Sequence, residues 1–84
     1  MEHVAATVLQ IVTEVAPLEG TDPTVSARLV EDLGFHSLAL LELSTELEER
    51  FNLRPLQLED VEHVESVADL IAVIERILAE TGVG

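Results

Sequence analysis

Ser37 and His36 are the residues whose types could first suggest chemistry, a hydroxyl nucleophile beside a base. They do not make a catalytic pair. Adjacent residues on a helix project about 100° apart, and no third group orients the imidazole. Gly34 and Leu38 do not complete the G-x-S-x-G turn that presents a hydrolase serine. His3, His36 and His63 are far apart and lack ligand spacing such as H-x-x-x-H. Glu59, Asp60, Glu62 and Glu65 gather acid, but without the alternating oxygen ligands, the glycine and the terminal glutamate of a calcium loop. No catalytic residue and no metal site is expected.

What remains is the corner Asp32-Leu33-Gly34-Phe35-His36-Ser37-Leu38. Glycine takes backbone conformations that other residues resist, so a sharp approach to a helix fits at Gly34. Ser37 then falls at the N-cap or in the first turn. One use of that position is a plain cap, its oxygen accepting a hydrogen bond from a free backbone N–H. The other is an attachment point. A helix start carries partial positive charge and unpaired N–H groups that suit a phosphodiester, and the hydroxyl projects where another enzyme can reach it.

The elements that must position this corner are helical. Val4, Val8, Ile11, Val12 and Val15 recur at the three-and-four spacing of one face and predict a helix from Glu2 to Ala16, ended by Pro17. From Pro17 to His36 there is no sustained period. Gly20, Pro23, Thr21, Asp22, Thr24 and Ser26 mark turns, while Val25, Leu29, Val30 and Leu33 can pin the segment to a core. So long a connection is more often functional than passive. A second helix is expected over Ser37 to Phe51, with Leu40, Leu43, Leu47 and Phe51 as its core stripe and Glu42, Glu46, Glu48 and Glu49 mostly off it. After Pro55, one short turn is expected over Leu58 to His63. Ser66, with Asp69 three residues on, caps a last helix that runs to Glu80 before Thr81 to Gly84 fray. The expected fold is all-α, a small bundle of three main helices plus one short helix and a long first loop, in one domain over 1–84.

Composition narrows the partners. Seventeen acidic residues face four basic ones, for a net charge of −13. That field disfavours nucleic acid and would draw proteins with basic patches; the plain alternative is an acidic surface that only confers solubility. With 48% hydrophobic residues in regular pattern, disorder is not expected. The chain has no cysteine, so it has no disulfide and no thiolate of its own. Phe35 and Phe51 are its only aromatics and leave no stacking platform for bases or sugars. No stretch approaches the ~18 apolar residues of a membrane span, and the N-terminus lacks the pattern of a secretory signal. A cytoplasmic, free-standing monomer is expected.

Glu31-Asp32-Leu33-Gly34-Phe35-His36-Ser37-Leu38 resembles the phosphopantetheine attachment motif of carrier proteins, usually Leu-Gly, one variable residue, Asp, Ser, Leu. Leu40-Leu41-Glu42-Leu43 and Leu47-Glu48-Glu49-Arg50-Phe51 resemble the second helix of acyl carrier proteins. The likeness covers nearly the whole chain, including the long first loop and the Ser-Val opening of the last helix. It implies that Ser37 bears 4'-phosphopantetheine, transferred from coenzyme A by a phosphopantetheinyl transferase, whose thiol holds an acyl group. It also implies a partner face of His36, Leu38, Leu41, Glu42, Thr45, Glu48 and Glu49, extended by Glu59 and Asp60, that meets a ketosynthase, an acyltransferase or related acyl-processing enzymes with basic patches. His36 stands where acyl carriers usually have aspartate and resembles the Gly-Gly-His-Ser of peptidyl carriers, although Phe35 replaces the second glycine. Ala39 stands where some fatty-acid carriers have another acid. These departures point to a specialised polyketide or hybrid pathway. The alternatives are an aminoacyl or peptidyl carrier, and an acidic helical interaction module without a prosthetic group.

Overall fold

A computed structural model describes residues 4–16 and 24–82. It has the order α1 (Val4–Val15), α2 (Ser37–Phe51), α3 (Leu58–Val61) and α4 (Val67–Gly82). The fold is all-α as expected, and no strand occurs among the described residues. α1 packs against both α2 and α4, and α3 packs against α4. Glu2, His3 and Pro17, expected to begin and stop the first helix, lie outside the described residues, as do Gly20, Thr21, Asp22 and Pro23.

Each main helix buries a stripe at helical spacing. Val4, Val8, Ile11 and Val12 of α1 are buried, with Val15 at the margin. In α4 the buried set is Val67, Leu70, Ile71, Val73, Ile74 and Ile77. The stripe of α2 centres on Ala39, Leu43 and Leu47, four residues apart. Leu40 and Phe51 are only partly buried at its edge. The buried stripe thus starts one residue earlier than expected, at Ala39.

The first loop is fastened more firmly than its sequence suggests. Its last part turns in helix-like bonds, Asp32 and Leu33 N–H donating to the Arg28 carbonyl at 2.9 and 3.1 Å. Leu29 and Leu33 enter the core as expected. Val25 and Val30 do not: they are 46% and 60% exposed, since the turn leaves them on its outer side. Arg28 and Ser66 form an isolated antiparallel bridge, and the loop closes the start of α4. Val67 N–H donates to the Ala27 carbonyl at 3.0 Å, Ala68 N–H to Val25 at 2.8 Å, and Asp69 N–H to Ser66 Oγ at 3.2 Å. The donors that a helix start leaves unpaired are therefore all taken. The Asp69 carboxylate accepts from the N–H of Glu65 and Ser66, which completes the expected capping box and holds its acid below the usual carboxylate range. At the other end α4 continues to Gly82, so Thr81 and Gly82 extend the helix where fraying was expected. Val83 and Gly84 lie outside the described residues.

Candidate functional site at the start of the second helix

The corner before α2 is built by alternation. Gly34 has φ 77°, the left-handed region that costs a residue with a Cβ about 1–2 kcal/mol. It reverses the chain so that Phe35 points inward, 1% exposed, with its N–H on the Leu29 carbonyl at 2.9 Å. The next residue is extended (φ −106°, ψ −177°), and His36 and Ser37 are turned out to solvent. Phe35 is thus the anchor of the corner, a role its sequence position did not reveal.

His36, not Ser37, is the N-cap. Its Nδ1 accepts from Ala39 N–H at 3.5 Å and its carbonyl from Leu40 N–H at 2.8 Å. Ser37 is the first helical residue, so its hydroxyl is released from capping. The N–H groups of Ser37 and Leu38 have no hydrogen-bond partner among the described residues. An exposed hydroxyl, two free donors and the positive end of a helix of 15 residues lie together. That donor set fits a phosphodiester on the serine.

The residues of the expected partner face divide into two groups. Leu38 and Leu41 are 61% and 65% exposed, and Glu42, Thr45, Glu49 and Glu59 are exposed as well. Leu41, Glu42, Thr45 and Glu49 line an open groove of about 540 Å³ whose other wall is Glu14 and Val15 of α1. Those two residues belong to a different element, and no signal in the sequence joined them to α2. Glu48 and Asp60 face inward instead. Glu48 accepts from Leu56 N–H at 2.8 Å and fixes the connector to α3. Asp60, with a side chain 9% exposed, takes Arg54 at 2.9 Å and Arg76 at 3.0 Å, and also Gln57 N–H at 2.8 Å. The Arg54 guanidinium, with the Gln57 N–H, draws the Asp60 acid from 3.8 down to about 2. No group of three or more residues able to hold a metal occurs among the described residues.

Comparison with known proteins agrees with this geometry. Residues 6–74 match the family described as "Phosphopantetheine attachment site". The chain is 32% identical over 79 residues to an acyl carrier protein of Rhodococcus erythropolis, covering 94% of this chain and 86% of that one. It is 36% identical over 70 residues to an acyl carrier protein of Akkermansia muciniphila, covering 83% and 86%. A meromycolate extension acyl carrier protein of Mycobacterium tuberculosis is 27% identical over 79 residues, 94% of this chain and 68% of that one. Fold and family together define a phosphopantetheine-bearing carrier, which holds cargo for other enzymes and does not catalyse. The chain belongs to the acyl carrier protein family. Its prosthetic group is covalent 4'-phosphopantetheine, whose terminal thiol supplies the thioester that a protein without cysteine cannot.

Proposed function

We propose that Ser37 is the attachment residue, that a phosphopantetheinyl transferase loads it from coenzyme A, and that the protein presents acyl thioesters to a ketosynthase, an acyltransferase or related enzymes. The observation that carries this reading is the exposed Ser37 hydroxyl at the first position of α2, left free because His36 does the capping. Leu38, Leu41, Glu42, Thr45 and Glu49, with Glu59, form the outward face offered to partners, an apolar strip rimmed by acid that steers basic patches. The pathway proposed is a specialised polyketide or hybrid one, supported by His36 and Ala39 at positions where fatty-acid carriers usually have acids. The reading further takes 1–84 as one carrier domain, acting as a cytoplasmic monomer. Aspartate caps helices as well as any residue. His36 fills the capping role that an aspartate would fill here, so the cap itself does not call for a peptidyl cargo.

The test is an intact mass after co-expression with a broad-specificity phosphopantetheinyl transferase. The parent protein should gain one phosphopantetheine and Ser37→Ala none. No gain on the parent, with the transferase shown active on another carrier, would falsify the reading; a gain that survives Ser37→Ala would move the attachment elsewhere.

A further inference from the structure

The open groove between α1 and α2 gathers four carboxylates, Glu14, Glu42, Glu46 and Glu49, around the apolar Leu41 and Val15. One cation bridges its walls from within the chain. Arg50, in the last turn of α2, places Nη2 2.9 Å from Glu14 Oε1 on the α1 wall and Nε 3.8 Å from Glu46 on its own helix. The second Glu14 oxygen accepts from Gln10 Nε2 at 3.4 Å, so Glu14 is held on both sides. Glu42 and Glu49 have no ion pair among the described residues. Between them Thr45 turns its hydroxyl back to the Leu41 carbonyl at 3.1 Å, and Leu41 stands 65% exposed.

These pairings show what the groove accepts and where. A guanidinium already lies between its walls, so the occupant that matches is cationic. The exposed leucine calls for an apolar side chain beside the cations. The two open acids are seven residues apart, two turns along one helix face and about 10 Å. A second copy of this chain does not fit, because it carries the same net charge of −13 and its four arginines are paired. We infer that Arg50 is a specificity-determining residue: it occupies Glu14 and Glu46, so that the groove takes a partner surface with two cations about 10 Å apart astride an apolar side chain. An amphipathic helix with arginines seven residues apart meets that repeat in register. The inference rests on the outward face of α2 being the one that partners meet, and adds the α1 wall and a spacing rule to it. Arg50 sets the spacing through Glu46. Were Glu46 open, it would stand four residues, about 6 Å, from Glu42, and a closer pair of cations would be accepted as well.

Two lactam-bridged, alanine-based helical peptides of equal composition serve as probes. Each carries a leucine and two arginines, which are seven residues apart in one peptide and four apart in the other. Both are titrated into the parent protein, Arg50→Gln, Arg28→Gln and the double variant Arg50→Gln/Glu46→Gln. Amide shifts give the affinity, and circular dichroism checks the fold. The parent should bind the wide-spaced peptide roughly two- to fivefold more tightly, with shifts at Leu41, Glu42, Thr45 and Glu49. Arg50→Gln should bind the close-spaced peptide as well as the wide one. The double variant, at the net charge of the parent, should regain the preference. Arg28→Gln removes the same charge from a pair outside the groove and should keep the parent's preference. Equal affinities in the parent, no binding of either peptide, or the same preference in Arg50→Gln as in Arg28→Gln overturns the inference. The mass test at Ser37 is independent of these titrations: failure to load Ser37, with the spacing preference kept, overturns the attachment reading alone.

Discussion

Glu48 and Asp60 show that acidic side chains of one apparent rim can belong to the scaffold instead of the surface. Both look like members of an acidic rim, yet each is committed to a bond inside the molecule: Glu48 to Leu56 N–H and Asp60 to Arg54 and Arg76. A carboxylate so held stabilises the fold only while ionised. Because Asp60 is drawn from 3.8 down to about 2, the folded chain binds fewer protons than the unfolded one between about pH 4 and 2. Stability contributed by Asp60 is therefore complete above pH 4 and lost as the pH falls toward 2. Urea unfolding followed by far-UV circular dichroism should show this decline in the parent protein. In Asp60→Asn it should be shallower, with a residue left by Asp69, which is shifted in the same direction. An unchanged slope would mean that the arginines do not hold Asp60 in solution. The capping histidine was legible only as a departure from a motif. Its bond to Ala39 N–H depends on the backbone of His36 being extended, which a residue type does not specify.

At the scale of elements, the connections rather than the helices set the site. α1, α2 and α4 follow from hydrophobic spacing because a helix has a fixed period and must bury one face. The 28–36 segment has no period, and its course is decided by two distant attachments, Leu29 N–H on the Glu65 carbonyl and Val67 N–H on Ala27. Ser66 stands at this junction as cap of α4 and as bridge partner of Arg28. Ser66→Ala should cost about 1 kcal/mol, read as a lowered urea midpoint with unchanged slope. Gly34→Ala should cost about 1–2 kcal/mol from its positive φ. It should also slow modification of Ser37, which Ser66→Ala should not, because only Gly34 aims the corner. Equal modification rates in the two variants would detach the glycine from presentation of the serine.

Across the molecule, each of the four arginines is paired with an acid. Arg28 pairs with Glu31, Arg50 with Glu14 and Glu46, Arg54 with Asp60 and Glu80, and Arg76 with Asp60 and Glu80. The net charge of −13 is therefore presented to solvent; in the α1–α2 groove Arg50 pairs with Glu14 and Glu46, while Glu42 and Glu49 have no ion pair among the described residues. Glu42→Lys and Glu49→Lys should lower the rate of transfer from a ketosynthase or transferase and weaken its dependence on salt, with stability almost unchanged. Glu48→Lys should lower stability, because it removes the acceptor for Leu56 N–H. If all three variants behaved alike in rate and in stability, the division between outward and inward acids would be wrong.

The sequence by itself determined the helical class, the stripe residues of α1, the Ser66–Asp69 cap and the corner that delivers Ser37. These follow from local rules, a period, a cap or a glycine, and each is read within a few residues. Only the tertiary structure decided that His36 rather than Ser37 closes the helix start and that Phe35 anchors the corner. It alone set Glu14 and Val15 beside Leu41, and turned Glu48 and Asp60 inward. Each of those outcomes depends on which distant backbone N–H, guanidinium or helix face arrives next to the residue, and that is fixed by packing.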